Sequence, residues 1–312
     1  MLSRYCRTSL CTPATAVERY ASCHTSGADI CLVDLEDSVP PLRKDEARRA
    51  AARFFTSAVG LPVRCAIRIN SVVEADGLRD LLALREFPVR PQIVHIPKVE
   101  SPRDLEIVWE VLGGGVELFA VIETPPGVQR LAEIAAAGHG LRALIFGAAD
   151  YAAALGIGLS WEPLVHARSA LVNSARANDL HAIDAPTFDL ADPTLLRQEC
   201  RRGRELGFSG KIALHPEQLA VISEAFSPTN SELEHAGRLV RAASRSGDAV
   251  TTVDGRMVGK PFFEAAQRLL AEFGPAVRAE AGHPSPAVQT AHVNTVPVPN
   301  TAHVVHTESV MP

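Results

Sequence analysis

The stretch Leu118-Phe-Ala-Val-Ile-Glu-Thr-Pro125, taken with Ala143-Leu-Ile-Phe-Gly-Ala-Ala-Asp150, decides the fold. Each is a short apolar run, bounded by Pro or Gly, that leads into a carboxylate. Such a run reads as a buried strand, although periodicity alone does not separate it from a buried helix segment. Between the two, Val128, Leu131, Ile134 and Ala135 recur at helical spacing and Gly138 supplies a stop, so one helix is expected over 128–137. Strand, helix, strand is a crossover that leaves the two strands parallel and adjacent. Glu123 and Asp150 should then project from the same end of one sheet, where two acids can share a divalent cation.

Six further runs have the same character: Ser9–Pro13, Ile30–Glu36, Val63–Asn70, Ile93–Lys98, His181–Ala185 and Lys211–His215. Eight strands with room for a helix in each gap form the pattern of a (β/α)8 barrel, an α/β fold. Helices are expected over Lys44–Phe55, Leu78–Phe87, Trp161–Asn178, Leu195–Leu206 and Pro216–Ala225. Beyond these, Ser231–Ser244 and Pro261–Glu272 read as helices joined by an irregular or β-like link over 248–258. The expected organisation is a TIM-barrel domain over 7–225, a small C-terminal helical extension over 226–274, and a disordered tail over 275–312, rich in Ala, Pro, Val, Thr and His.

At 312 residues, 46% of them hydrophobic and with a mean hydropathy of +0.07, the chain can bury one large core. No apolar run approaches the roughly 18 residues of a membrane span. The net charge of −5, with basic residues dispersed among acids, argues against a nucleic-acid surface. The six cysteines lack zinc or redox spacing, and Met1-Leu-Ser-Arg-Tyr-Cys-Arg7 has no apolar signal core. A cytoplasmic protein with reduced thiols is expected.

In a barrel, the carboxyl ends of the strands line the mouth where chemistry occurs. Here they carry Asp34, Glu36, Asp37, Arg68, Asn70, Lys98, Glu123, Asp150, Asp184 and His215. Any one acid could simply cap a helix or pair at the rim, but charges rarely sit on buried strands unless paired or bound to metal. Period-2 alternation puts Arg68 and Asn70 opposite Ile67 and Ile69, so Arg68 could grip a substrate carboxylate, with a structural pairing to Glu36 as the competing reading. Hard oxygen ligands without nearby Cys or His favour Mg2+, with Mn2+ as an alternative, and Glu123 plus Asp150 fit that description. Lys98 could form a Schiff base, though an ion pair is the simpler role. His215 reads as a hydrogen-bonded structural histidine.

Together, Asp34-Leu-Glu-Asp-Ser-Val39 with Lys44 and Ala47-Arg48, Arg68-Ile-Asn70, Pro97-Lys-Val-Glu-Ser101, Ile122-Glu-Thr124, Phe146-Gly-Ala-Ala-Asp150 and Gly210-Lys-Ile-Ala-Leu-His-Pro216 with Gln218 resemble the citrate lyase β-subunit-like branch of the HpcH/HpaI aldolase family. The match runs in order over about residues 7–272. The resemblance implies a Mg2+-dependent carbon-carbon lyase acting on a 3-hydroxy acid or its CoA or acyl-carrier thioester, releasing or condensing a 2-keto acid. It implies Glu123 and Asp150 as metal ligands, Arg68 as the substrate arginine, and Glu36 and Asp37 as acids supporting Arg68 and the metal's waters. Gly147 and Lys98 are expected beside Arg68 at the substrate, and a homotrimer or homohexamer is implied, with the C-terminal segment reaching a neighbour. One position departs. Where the family pattern has an aspartate, Gly255-Arg-Met-Val-Gly-Lys-Pro261 has Gly259. That aspartate is implied to move the proton on the thioester side, so a malyl-CoA-type thioesterase and a non-catalytic subunit stand as alternatives.

Overall fold

The computed structural model describes residues 7–273. Its strands are β1 (Thr8–Pro13), β2 (Ile30–Asp34), β3 (Arg64–Arg68), β4 (Ile93–Ile96), β5 (Glu117–Ile122), β6 (Leu141–Phe146), β7 (His181–Asp184) and β8 (Gly210–Ala213). They pair in parallel and in chain order, and β8 closes onto β1 through Thr8 opposite Lys211, making a closed eight-stranded barrel. Helices fill the connections: α1 (Tyr20–His24), α2 (Lys44–Ser57), α3 (Ala75–Arg85), α4 (Pro102–Leu112), α5 (Pro125–Gln129), α6 (Leu131–Ala135), α7 (Ala148–Leu155), α8 (Trp161–Ala177), α9 (Pro193–Leu206) and α10 (Gln218–Ala225).

Alternation along the strands sorts the side chains into two cores. Leu32, Ala66, Ile93, Phe119, Val121, Ile145, Ile183 and Ile212 point into the barrel and are buried against one another. The opposite faces, with Cys31, Val33, Ile67, Val94, Leu118 and Leu144 among them, pack under the helices. Both faces are covered, which is why these strands read as continuous apolar runs rather than as alternating ones.

The expected single helix over 128–137 is two short ones. Pro125 begins α5 at a fixed φ, Thr124 caps it by accepting from the Gly127 amide, and the chain breaks at Arg130 (φ −102°, ψ 16°) before α6 buries Leu131, Ile134 and Ala135. By contrast α4 has all its punctuation in the sequence: Ser101 and Asp104 form a capping box, Pro102 opens it, and Gly113 closes it in the left-handed conformation.

After the barrel come α11 (Asn230–Ser246), a hairpin of β9 (Thr251–Val253) and β10 (Arg256–Val258), and α12 (Lys260–Phe273). The hairpin occupies the link expected to be irregular; Asp254 and Gly255, both at positive φ, make its two-residue turn. Ala236, Leu239, Ala243, Val253, Val258, Phe263 and Ala266 form a cluster of their own beside the barrel cores. The tail expected over 275–312 lies outside the described residues.

Candidate active site

The interior alternation continues past the apolar layer at the carboxyl ends of the strands, and there the side chains become polar. Asp34 follows Leu32 on β2, Arg68 follows Ala66 on β3, Glu123 follows Val121 at the end of β5, and Gly147 follows Ile145 at the end of β6. A cavity of about 310 Å3 opens over them, lined by Asp34, Asp37, Arg68, His95, Glu123, Gly147 and Asp150 and by apolar residues that include Leu32, Ile145 and Phe188.

Arg68 is held by acids on one side. Its Nε donates to Asp34 Oδ1 at 2.6 Å, its Nη2 to Asp34 Oδ2 at 2.7 Å, and its Nη1 pairs with Glu36 Oε2 at 2.9 Å. The principal partner is therefore Asp34, rather than the Glu36 expected as the structural alternative. The bidentate edge of the guanidinium is spent on Asp34, so a bound carboxylate is left with the remaining hydrogens of Nη1 and Nη2. Burial alone would raise the Asp34 carboxyl, but Arg68, with hydrogen bonds from Ser38 and the Glu36 amide, holds it at about 2. Asp34 in turn keeps Arg68 protonated well above its usual range despite burial.

Glu36 stands behind Arg68 and outside the cavity wall. Its Oε1 accepts from Lys98 Nζ at 2.5 Å, and burial raises its pKa against the pull of Arg68 and Lys98. Lys98 adopts a left-handed backbone (φ 53°), which lets its amide donate to Glu123 Oε1 at 2.9 Å while its side chain reaches Glu36. Burial opposes the ammonium, but Glu36 raises Lys98 above the usual lysine range. A lysine so held is a poor Schiff-base nucleophile, and its side chain opens on an adjoining groove with Ser71, Glu74 and Arg130.

Glu123 is 2% exposed, and its carboxyl is pushed up to about 8, first by burial and then by the charges of Glu36 and Asp150. Asp150 lies in the first turn of α7, one turn beyond the strand end where it was expected. Gly147 caps that helix, and a Cβ there would overlap Glu123 Cβ and Oε2. The carboxylate thus occupies space that only glycine leaves free. Asp37 is exposed at the cavity edge.

Three expected mouth residues lie elsewhere. Asp184 follows Ile183, which points inward, so Asp184 faces the helices, where it binds Arg168 Nε at 2.8 Å and Lys211 Nζ at 3.1 Å. Asn70 is buried beyond β3, donating to Asp80 and the Leu35 carbonyl and accepting from Lys44. His215 is half exposed beside Thr12 and Arg19, with the Glu217 amide 3.4 Å from its Nδ1. Two residues were passed over: Asp34 as the partner of Arg68, and His95 within the cavity. Both were accessible through the interior alternation, since each sits two residues after an inward apolar side chain.

The family model described as HpcH/HpaI aldolase/citrate lyase matches residues 7–216. The chain belongs to this family. Citrate lyase subunit beta of Escherichia coli (strain K12) is 31% identical over 279 residues, covering 85% of this chain and 92% of that protein. A (3S)-malyl-CoA thioesterase of Cereibacter sphaeroides (strain KD131) is 35% identical over 253 residues, covering 78% of this chain and 86% of that protein. Among solved structures, CitE from Mycobacterium tuberculosis in complex with magnesium, acetoacetate and coenzyme A superposes with a TM-score of 0.73 at 32% identity, covering 86% of this chain and 98% of that one.

Within this member of the HpcH/HpaI aldolase/citrate lyase family, the donor set suits a hard divalent cation. Glu123 and Asp150 offer carboxylate oxygens in one cavity, and burial first, then the charges of Glu36 and Asp150, raise Glu123, so a cation there would favour its ionised form. Among the described residues no group of three or more His, Cys, Asp or Glu is gathered to hold a metal. Magnesium is commonly bound by one or two carboxylates while water and substrate complete its shell, so two suffice. In the extension, Gly259 lies at the junction of β10 and α12, and Asp254 is held by His235 at 2.9 Å and Arg238 at 3.0 Å. Neither Asp254 nor Glu264 lines the cavity.

Proposed function

We propose that the chain is a Mg2+-dependent carbon-carbon lyase that cleaves or forms a 3-hydroxy acid, carried as a CoA or acyl-carrier thioester of the citryl or malyl kind, with a 2-keto acid as the other reactant. The observation that carries this reading is the convergence of Glu123, Asp150 and Arg68 on one cavity at the carboxyl end of the barrel. Glu123 and Asp150 would hold the ion. When bound, magnesium supplies Lewis-acid polarisation of the keto-acid oxygen. Arg68, immobilised by Asp34 and Glu36, orients the substrate carboxylate through its free Nη hydrogens. Lys98 neutralises Glu36 and, through its amide, fixes Glu123. The apolar wall of Val121, Ile145 and Phe188 limits water around the reacting carbons. Gly147 allows close approach of ligand and of Glu123, and Asp37 reaches the cavity edge, where it can hold water.

This reading includes a homotrimer or homohexamer in the cytoplasm. Among the described residues no helix is long and apolar enough to cross a membrane. A second reading, thioester hydrolysis at the same metal site, is favoured by Gly259 in place of the family aspartate and by the 35% identity to a malyl-CoA thioesterase. A panel of malyl, citramalyl and citryl thioesters separates the two. Lyase activity releases a keto acid, whereas hydrolysis releases free CoA with the hydroxy acid intact. Glu123→Ala and Asp150→Ala should each weaken Mg2+ binding at least about tenfold and abolish either activity; full metal affinity and turnover in both variants would remove the assignment.

A further inference from the structure

The chemistry above gives no role to His95 on the cavity wall. His95 points inward from β4 with Phe119 of β5 as its register partner, and its ring stacks on that phenyl at 5.0 Å between centroids and 17° between planes. Phe119 precedes Val121 and Glu123 on the interior face of β5, so His95 lies deeper in the barrel than Glu123, with Arg68 of β3 as its other register partner. It is 1% exposed, it lines the cavity, and its Nε2 has no hydrogen-bond partner. Buried polar side-chain atoms nearly always have a partner, protein or otherwise, so an unpaired one in a cavity wall points to a ligand.

The surroundings narrow the ligand's chemistry. Burial, then the charge of Arg68, push the His95 ring down to about 3, so it is neutral at ordinary pH. Cys11, on the same cavity, is also uncharged, its thiol pushed up to about 12 by burial and by Asp34. Leu32, Val121, Ile145 and Ile212 complete this inner region. A methyl group would fill the space and leave His95 unpaired. A hydroxyl can donate to or accept from a neutral imidazole in either tautomer.

We infer that His95 is a specificity-determining residue: it hydrogen-bonds an uncharged polar substituent on the bound 2-keto acid, selecting a hydroxymethyl-bearing acid over a methyl-bearing one. This rests on the lyase reading above. Sites built to hydrogen-bond a hydroxyl discriminate strongly against analogues that lack it, because the protein group is then left unpaired.

The test is titration calorimetry of the Mg2+-loaded full chain with pyruvate and hydroxypyruvate. Hydroxypyruvate should bind about tenfold or more tighter than pyruvate. His95→Leu should bring that preference below about threefold while pyruvate affinity and Mg2+ affinity stay, and His95→Gln, which keeps a hydrogen-bonding group, should retain it. Equal binding of the two acids by the unaltered chain, or an unchanged preference in His95→Leu, overturns the assignment and leaves the lyase reading standing. Failure of every keto acid to bind overturns both. If His95→Leu does not fold, the unaltered chain and His95→Gln still decide, since loss of a preference in neither is required.

Discussion

At Glu123 the fold holds a carboxyl where ionisation is unfavourable, and that has a measurable consequence. Its folded pKa of about 8 lies above the ordinary glutamate value, so its contribution to stability is present below the carboxylate range and is lost as pH rises through about 8. Asp34 runs the other way: at about 2, its contribution is lost only as pH falls toward that value. The metal-free chain should therefore lose thermal stability between about pH 5 and 8. Added Mg2+ should raise Tm more at pH 8 than at pH 6, with proton release at pH 7 detected by calorimetry in buffers of different ionisation heat. Equal Tm increments at both pH values would contradict this account. Gly147→Ala tests the same site sterically. Its methyl would displace the Glu123 carboxylate, lowering Mg2+ affinity about tenfold or more while the circular dichroism of the barrel is kept.

Among the elements, β7 and β8 carry a charge cluster with no role at the mouth. Lys211 is fully buried on β8 and pairs with Asp184 of β7 and Glu199 of α9, while Arg168 of α8 closes on Asp184 from the other side. Removing one partner of such a buried pair strands the remaining charges. Lys211→Met is expected to cost about 3–5 kcal/mol in urea denaturation, and a variant as stable as the parent would show that the cluster is not what ties these strands to their helices. Asp184 also shows how strand-end position misleads. It ends an apolar run just as Glu123 does, yet Ile183 takes the inward direction and Asp184 the outward one. Counting parity from the apolar interior residues, rather than taking the last polar residue of each run, recovers Asp34 and excludes Asp184.

For the whole molecule, the extension raises the question of assembly. It has its own apolar cluster and exposes Val250, Met257 and Phe262. A homotrimer or homohexamer is expected in sedimentation; a fully active monomer would argue that each barrel completes its own site. Gly259→Asp should raise keto-acid condensation with acyl thioesters at least about tenfold if the proton-transfer acid alone is missing. No change would show that the thioester side has diverged around it.

The eight strands, their order and the acids of the mouth were legible in the sequence, because strands covered on both faces appear as apolar runs whose polar ends cannot be ordinary core. Gly259 stood out only through the family resemblance, as a departure from that family's C-terminal pattern. Tertiary structure decided which charge answers which. That Arg68 belongs first to Asp34, that Lys98 serves Glu36, and that Glu123 needs the space beside Gly147 depend on contacts between strands far apart in the chain. So does the place of His95 at the depth of the barrel, which follows from how eight strands are staggered against one another rather than from any neighbour in sequence.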